Sequence, residues 1–229
     1  MKYISIEIDR DDLNQKLGGG IPRGSLMIIE GPDGTGKSVL SQRITYGALA
    51  NGSSVTYIST ELSTWDFLKQ MNSLNYIIDN YLFNGKLLFL TLVPLYADIE
   101  EGENLIFKLE ESPQLFERDI LIIDSLSYPL VSELSYKEVK ELVMFLNKVK
   151  DDKIIILTYD PESIDQKLVK ELRRIADIYF KLKIGSIAGQ RVRFIEIERF
   201  RNALDTYTPV IPFRVEPKLG FVIEIVSVV

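Results

Sequence analysis

"LMIIEGPDGTGKSVL", residues 26–40, decides the fold. Leu26-Met27-Ile28-Ile29-Glu30 reads as a largely apolar strand, and it runs straight into a glycine, four residues and then Gly-Lys-Ser, the P-loop pattern of Gly31, Gly36, Lys37 and Ser38. The chemistry explains the residue types. Glycines let the backbone turn tightly and aim its N–H groups at phosphate oxygens, and the helix that follows adds its positive N-terminal end. Lys37 would neutralise the β- and γ-phosphates, and the Ser38 hydroxyl would ligate Mg²⁺. Gly31, Pro32, Asp33, Gly34, Thr35, Gly36, Lys37, Ser38 and Val39 are therefore the candidate nucleotide contacts. A flexible glycine turn is the bland alternative, but the bare pattern should arise by chance in a chain of this length at roughly 1%.

Working outward, residues 37–50 read as the helix after the loop, stopped by Asn51-Gly52. Strands then alternate with helices: strand 55–59, helix 64–72, strand 87–92, helix 103–111, strand 120–124, helix 136–150, strand 153–159 and helix 163–175. Apolar strands separated by amphipathic helices imply a doubly wound, mainly parallel α/β sheet covered on both faces. Upstream, Ile4, Ile6 and Ile8 alternate with polar residues as in a short strand over 4–8, and residues 11–17 read as a short helix ended by Gly18-Gly19-Gly20. After Ala176 the pattern changes to strands without helices, at 178–183, 191–199 and 221–228, which suggests an antiparallel C-terminal extension. With no Pro/Ser/Gly-rich linker and no internal repeat, residues 1–229 read as one nucleotide-binding domain.

Composition narrows the function. At 46% apolar and 26% charged residues the chain can bury a substantial core. Its net charge of −6 argues against general nucleic-acid binding, which relies on Lys and Arg to neutralise phosphates. Without cysteine or histidine, neither disulfides nor a zinc site are expected. The N-terminus lacks the apolar segment of a signal peptide and no run approaches a membrane span, so a cytoplasmic location is expected.

A P-loop needs an acidic partner for its magnesium at the end of a neighbouring strand, and Asp124, after Ile120-Leu121-Ile122-Ile123, fits that need. Hydrolysis also needs a group that orients or deprotonates water. Glu61, just past the 55–60 strand, lies on the rim shared with the P-loop; by spacing alone it could equally be a solvated residue opening a helix. Thr158 and Tyr159 end another strand on that rim, where either could sense phosphate or simply pack. Trp65, Phe67, Leu68 and Met71 read as a core or interface stripe at helical spacing, and Lys170, Arg173 and Arg174 as a solvated helix face.

The stretch "DDLNQKLGGGIPRGSLMIIEGPDGTGKS" resembles the entry to the nucleotide domain of RecA-superfamily proteins of the KaiC-like branch, and "VTYISTE", "DILIIDSL" and "IERFRN...PFRV...LGFVI" extend the resemblance across nearly the whole chain. It implies a RecA-like fold, ATP with Mg²⁺ as ligands, phosphate contacts over residues 31–38, and magnesium at Ser38 and Asp124. Glu61 becomes the counterpart of the catalytic glutamate, although Leu62 stands where that branch often places a second one. Arg199 and Arg201 fall where KaiC-like rings carry a basic pair that reaches the neighbouring subunit's γ-phosphate; a charged edge strand is the alternative. Within the branch, the single-domain length and "YISTELSTWDFLKQM" look most like the accessory ATP-binding proteins of the archaeal flagellar motor, the archaellum. That likeness implies a hexameric ring docked on the motor ATPase and a membrane-associated scaffold, with slow or absent hydrolysis. An active KaiC-like ATPase is the runner-up, and a recombinase-like DNA-binding ATPase stands behind it.

Overall fold

The structure, a computed structural model, describes residues 3–93, 106, 111–126, 131, 134–187 and 189–224. Its spine is a nine-stranded sheet. Six strands run parallel: β3 (Ser25–Glu30), β4 (Val55–Ser59), β5 (Leu87–Thr91), β6 (Ile120–Asp124), β7 (Ile154–Tyr159) and β8 (Ile178–Ile187). Three more, β9 (Gln190–Phe200), β10 (Val210–Glu216) and β11 (Gly220–Ile223), continue it antiparallel. The order is β11-β10-β9-β8-β3-β7-β6-β4-β5. The expected fold class, a mainly parallel sheet with an antiparallel C-terminal extension, is the one observed.

β3 lies between β7 and β8, and all six of its residues are buried because helices cover both faces. One face packs on α2 (Lys37–Ala50) and α3 (Thr64–Ser73), the other on α5 (Tyr136–Val149) and α6 (Gln166–Ile175); α1 (Leu13–Lys16) and α4 (Asp79–Phe83) are short. α5 shows why such helices form. A capping box between Ser135 and Glu138 satisfies its first N–H groups, and Val139, Leu142, Val143 and Leu146 recur at helical spacing on the buried side. Each such side chain contributes about 1.5–3 kcal/mol on full burial. α2 is different: Ser41, Gln42, Arg43 and Thr45 are buried along with Leu40 and Ile44, so the helix is enclosed nearly all round.

Several boundaries differ from those read in the sequence. The leading strand shrinks to β1 (Tyr3–Ile4), paired with β2 (Ile21–Pro22), because beyond Ile4 the backbone turns to side-chain partners: Ile6 N donates to Asn14 Oδ1 (3.0 Å) and Ile6 O accepts from Arg43 Nη1 (2.9 Å). Arg43 also grips Asp11 through Nε (2.6 Å) and Nη2 (2.7 Å), both side chains being essentially inaccessible. Gly47 sits at this contact, where a Cβ would stand 2.3 Å from Ile6 O. The helix read over 163–175 begins only at Gln166, where the Asp165 carboxylate accepts from Lys167 N. β10 was not expected, since Pro209 and Pro212 break its strand pattern. Residues 103–105 and 107–110 of the expected helix 103–111, and the end of strand 221–228 past residue 224, lie outside the described residues. On α3, Phe67 and Met71 are core and Leu68 half-buried, whereas Trp65 is 73% exposed and outside the core. No described helix is long and apolar enough to cross a membrane.

Asp119, just before β6, ties three segments together. Its carboxylate accepts from Ser54 N (2.8 Å) and Ser54 Oγ (2.7 Å) and pairs with Arg23. Burial alone would raise its pKa, but the Arg23 and Ser54 donors outweigh that and hold it at about 2, against the usual 3.8. A depressed folded-state pKa stabilises the protein at pH values above the unfolded one, and that contribution is lost as the pH falls from 3.8 towards about 2. Asp119→Asn should therefore flatten the fall in urea midpoint across this window relative to the unsubstituted protein; parallel curves would show that the carboxylate contributes nothing there.

Candidate functional site

β3 delivers its last residue, Glu30, to the rim where the parallel strands end, and the chain closes the loop 31–36 before entering α2. Thr35 fixes the loop by donating from N and Oγ1 to Pro32 O. Only glycine fits at its two ends. At Gly31 a Cβ would lie 2.7 Å from Leu182 O, and Gly36 has φ +98° with the Phe213 ring 3.2 Å from where a Cβ would stand. Gly36 is also the N-cap of α2, so no side chain caps the helix and its leading N–H groups face the loop, the arrangement that binds anions.

Lys37, 7% exposed, reaches back across this loop. Its ammonium donates to Gly31 O (2.8 Å) and Pro32 O (3.1 Å) and lies 3.5 Å from the exposed Asp33 carboxylate. Ser38, one residue on, donates from Oγ to Asp124 Oδ1 at 3.1 Å. The sequence-predicted magnesium pair is thus brought together from α2 and the end of β6.

Asp124 is buried and held by two further hydroxyls, Tyr57 OH on Oδ2 (2.5 Å) and Thr158 Oγ1 on Oδ1 (2.7 Å). Burial raises its pKa, opposed by the hydroxyls of Tyr57, Thr158 and Ser38 and the charge on Lys37. Burial and the adjacent carboxylate push the Tyr57 phenol well above its ordinary value, so it stays protonated and remains a donor. Parallel register explains the meeting: Asp124 lies level with Ser59 on β4, and Ile123 with Leu157 on β7, so the three strand ends share one height. Of the two rim residues left open by the sequence, Thr158 joins the Asp124 cluster. Tyr159 packs behind it, its OH 3.2 Å from Glu30.

Glu61 stands on the same rim, exposed, its Oε1 accepting from Ser125 Oγ at 3.2 Å. The strand ends beneath it are interlocked, since Thr60 Oγ1 donates to Ser125 O (2.9 Å) and accepts from Ser125 N (3.0 Å). The position of Glu61 is therefore tied to that of Asp124.

Lys37, Ser38 and Glu61 line a cleft of about 470 Å³ together with Gly34, Arg193 and Val215. A larger cavity, about 700 Å³, lies between the segment from Arg10 to Lys16 and the outer strands β10 and β11, away from every P-loop residue. Size alone points there. Lys37, Ser38 and the uncapped helix end line the smaller cleft, with Asp124 held directly behind Ser38, and chemistry outweighs volume.

Arg193 is a site residue that the sequence reading missed. It donates from Nε to Gly34 O at 3.1 Å, placing a cation of β9 against the phosphate loop of the same chain. The alternation of Arg191 and Arg193 was the available signal; the turn of β9 back alongside β8, which gives it meaning, was not. Arg199 and Arg201 are not brought to this cleft. Arg199 is paired with Tyr179 and so lies level with Ile28, whereas Arg193 is paired with Ile184, beyond the end of β3. Arg199 Nη1 instead donates to Arg173 O and Ala176 O (both 2.8 Å), and Arg201 Nη1 lies 3.5 Å from Asp177. One further expectation is corrected. Lys170 and Arg174 are exposed, but Arg173 turns inward and supplies the cation for the buried carboxylate of Glu30, which Tyr159 OH also contacts.

Residues 8–226 match a family model described as "ATPase: KaiC". Over its full length the chain is 40% identical to the archaeal flagellar ATP-binding protein FlaH of Methanocaldococcus jannaschii, covering 98% of that protein. It is 38% identical to the protein of the same name from Methanococcus voltae, with both chains covered completely. The crystal structure of flagellar accessory protein FlaH from Methanocaldococcus jannaschii superposes with a TM-score of 0.90 at 39% identity, over 98% of this chain and 100% of that one. A KaiC-like protein from Pyrococcus horikoshii OT3, 19% identical, shares the fold with a TM-score of 0.74 over 97% of this chain and 100% of that one.

Proposed function

The chain belongs to the KaiC family of ATPases and to its FlaH branch, and from that premise we propose that it is the ATP-binding regulatory and assembly component of an archaellum motor. In this reading residues 1–229 form one nucleotide-binding domain that takes ATP with Mg²⁺, and the state of the bound nucleotide controls ring formation or docking to the motor ATPase. A membrane-associated scaffold is the second partner, and the location is cytoplasmic, at the motor base.

The observation that carries the reading is the Ser38–Asp124 contact at 3.1 Å beside the Lys37 ammonium. A hydroxyl and a carboxylate so placed suit the oxygen-rich shell of Mg²⁺, and the uncapped start of α2 suits phosphate, so the residues present fit both groups. Bound Mg²⁺ would supply charge neutralisation at the terminal phosphates. Lys37 would exchange its bonds to Gly31 O and Pro32 O for phosphate oxygens; Ser38 and Asp124 would hold the cation; Tyr57 and Thr158 would fix the carboxylate. Glu61 and the Arg199/Arg201 pair would sense the γ-phosphate, the arginines from a neighbouring subunit. A ligand shifts such an equilibrium only by binding one state better than the other, and that requires no turnover.

One observation favours the second reading, an active ATPase: Glu61 faces the cleft and is held in place by Ser125, as a group that orients water must be. Labelled ATP and Mg²⁺ separate the two. We expect ATP to be retained intact over many minutes, with no steady phosphate release for Glu61→Gln to abolish. Steady phosphate release that Glu61→Gln abolishes would instead make Glu61 the catalytic base.

A further inference from the structure

Glu30 is an anomaly in the core. It ends the central strand, follows four apolar residues, is 1% exposed, and is joined directly to the first glycine of the phosphate loop. A carboxylate in that position is costly unless its partners are well placed. Arg173, in the last turn of α6, supplies a two-pronged bond, Nε to Oε2 at 2.7 Å and Nη2 to Oε1 at 2.6 Å. The main chain of the same arginine is used too: its carbonyl, one of those a helix end leaves without an internal partner, accepts from Arg199 Nη1. Just beyond, Asp177 O accepts from Arg201 N at 2.9 Å. The junction of α6 and β8 therefore holds the phosphate-loop strand by one side chain and both arginines of the 199–201 pair by its carbonyls. Among the described residues, Nε and Nη2 of Arg199 make no hydrogen bond, and those donors face no internal demand.

From this geometry we infer that Arg173 is a positioning residue, a tether through which the occupancy of a subunit's own phosphate loop sets the placement of the Arg199/Arg201 pair that it presents to a second copy of the chain. The inference rests on the proposed trans role of that pair. Gly31 is bonded directly to Glu30, so a displacement of the loop that reaches the strand is delivered first to that residue. The bidentate bond passes it to the last turn of α6, whose carbonyls hold Arg199. A salt bridge that served only to stabilise the core would be replaceable by apolar groups of similar volume with little loss. A tether would not be, because an apolar contact slides where a two-pronged bond does not.

That difference is the test. The midpoint concentration for self-association of the full chain is measured by sedimentation with and without ATP–Mg²⁺, for the natural protein, Arg199→Gln, Arg173→Gln and the paired replacement Glu30→Met/Arg173→Leu. ATP affinity is measured alongside in dilute protein. ATP should lower the natural midpoint about tenfold, a usual size for coupling between sites. In both Arg173 variants the ratio should fall to about one, with dilute ATP affinity held within about twofold. The paired replacement keeps the test valid if Arg173→Gln fails to fold. A paired variant that retains the full ratio would overturn the tether alone, provided Arg199→Gln has lost it. An undiminished ratio in Arg199→Gln, or no ATP effect in the natural protein, would overturn the tether together with the trans role.

Discussion

Lys37→Ala is expected to weaken ATP binding at least about a hundredfold, or roughly 3 kcal/mol, since charge-assisted bonds to phosphate contribute about 1.5–3 kcal/mol each. Lys37 is 7% exposed and its ammonium is already directed across the phosphate loop, so little side-chain entropy remains to be lost when ATP arrives. Arg193, the other cation lining the cleft, comes from β9 and has its Nε engaged by Gly34 O, so it does not stand where the Lys37 ammonium stands. Thermal shift gives a direct readout. ATP at one hundred times its Kd stabilises a protein by about 2.7 kcal/mol, which for a chain of this size raises the melting temperature by about 5–10 °C. At the same ATP concentration the variant should gain only about 0.4 kcal/mol, about one degree. A full ATP-induced shift in Lys37→Ala would remove the P-loop from the binding site.

Arg43→Met should cost about 3–5 kcal/mol of stability, the usual penalty for breaking a buried ion pair from one side. The loss is not of attraction alone. Asp11 would keep a carboxylate that is 1% exposed with no cation, and Ile6 O would lose its donor. With a urea slope of about 2–3 kcal/mol per molar, the midpoint should fall by roughly 1–2 M. Removing both charges, as Asp11→Asn/Arg43→Met, should recover much of that, because the stranded charge goes as well. A single variant within about 0.5 kcal/mol of the natural protein would mean that the N-terminal segment is not anchored through Arg43.

The sequence showed what depends on local pattern and hid what depends on pairing between distant strands. The phosphate loop was legible because its chemistry is contained in eight consecutive residues, 31–38. Asp124 was legible because a lone carboxylate ending an apolar strand, on the rim that a P-loop shares, has little to face there except a cation. By contrast, Tyr57 and Thr158 reach Asp124 only because β4, β6 and β7 run side by side in register, a neighbourhood that no periodicity encodes. Arg193 needed the turn between β8 and β9 to come beside the loop, and Arg173 needed α6 to lie over the end of β3. Helical spacing suggested solvent for Arg173, since three basic residues within five positions usually mark a wet face. The buried partner on another element reversed that. β10 went unseen for a local reason: its Pro212 pairs opposite Phe194 inside the sheet, where proline seldom sits.

Trp65, the sole tryptophan, stands 73% exposed in the first turn of α3, four residues past Glu61. Such an indole already emits from water and has little more to gain when the chain unfolds. Its fluorescence is a poor gauge of denaturation and a selective one of whatever comes to cover α3. The chain thus carries its own optical label, free of interference from any second indole within it, and a blue shift on mixing with a tryptophan-free partner would register contact at α3 without chemical modification.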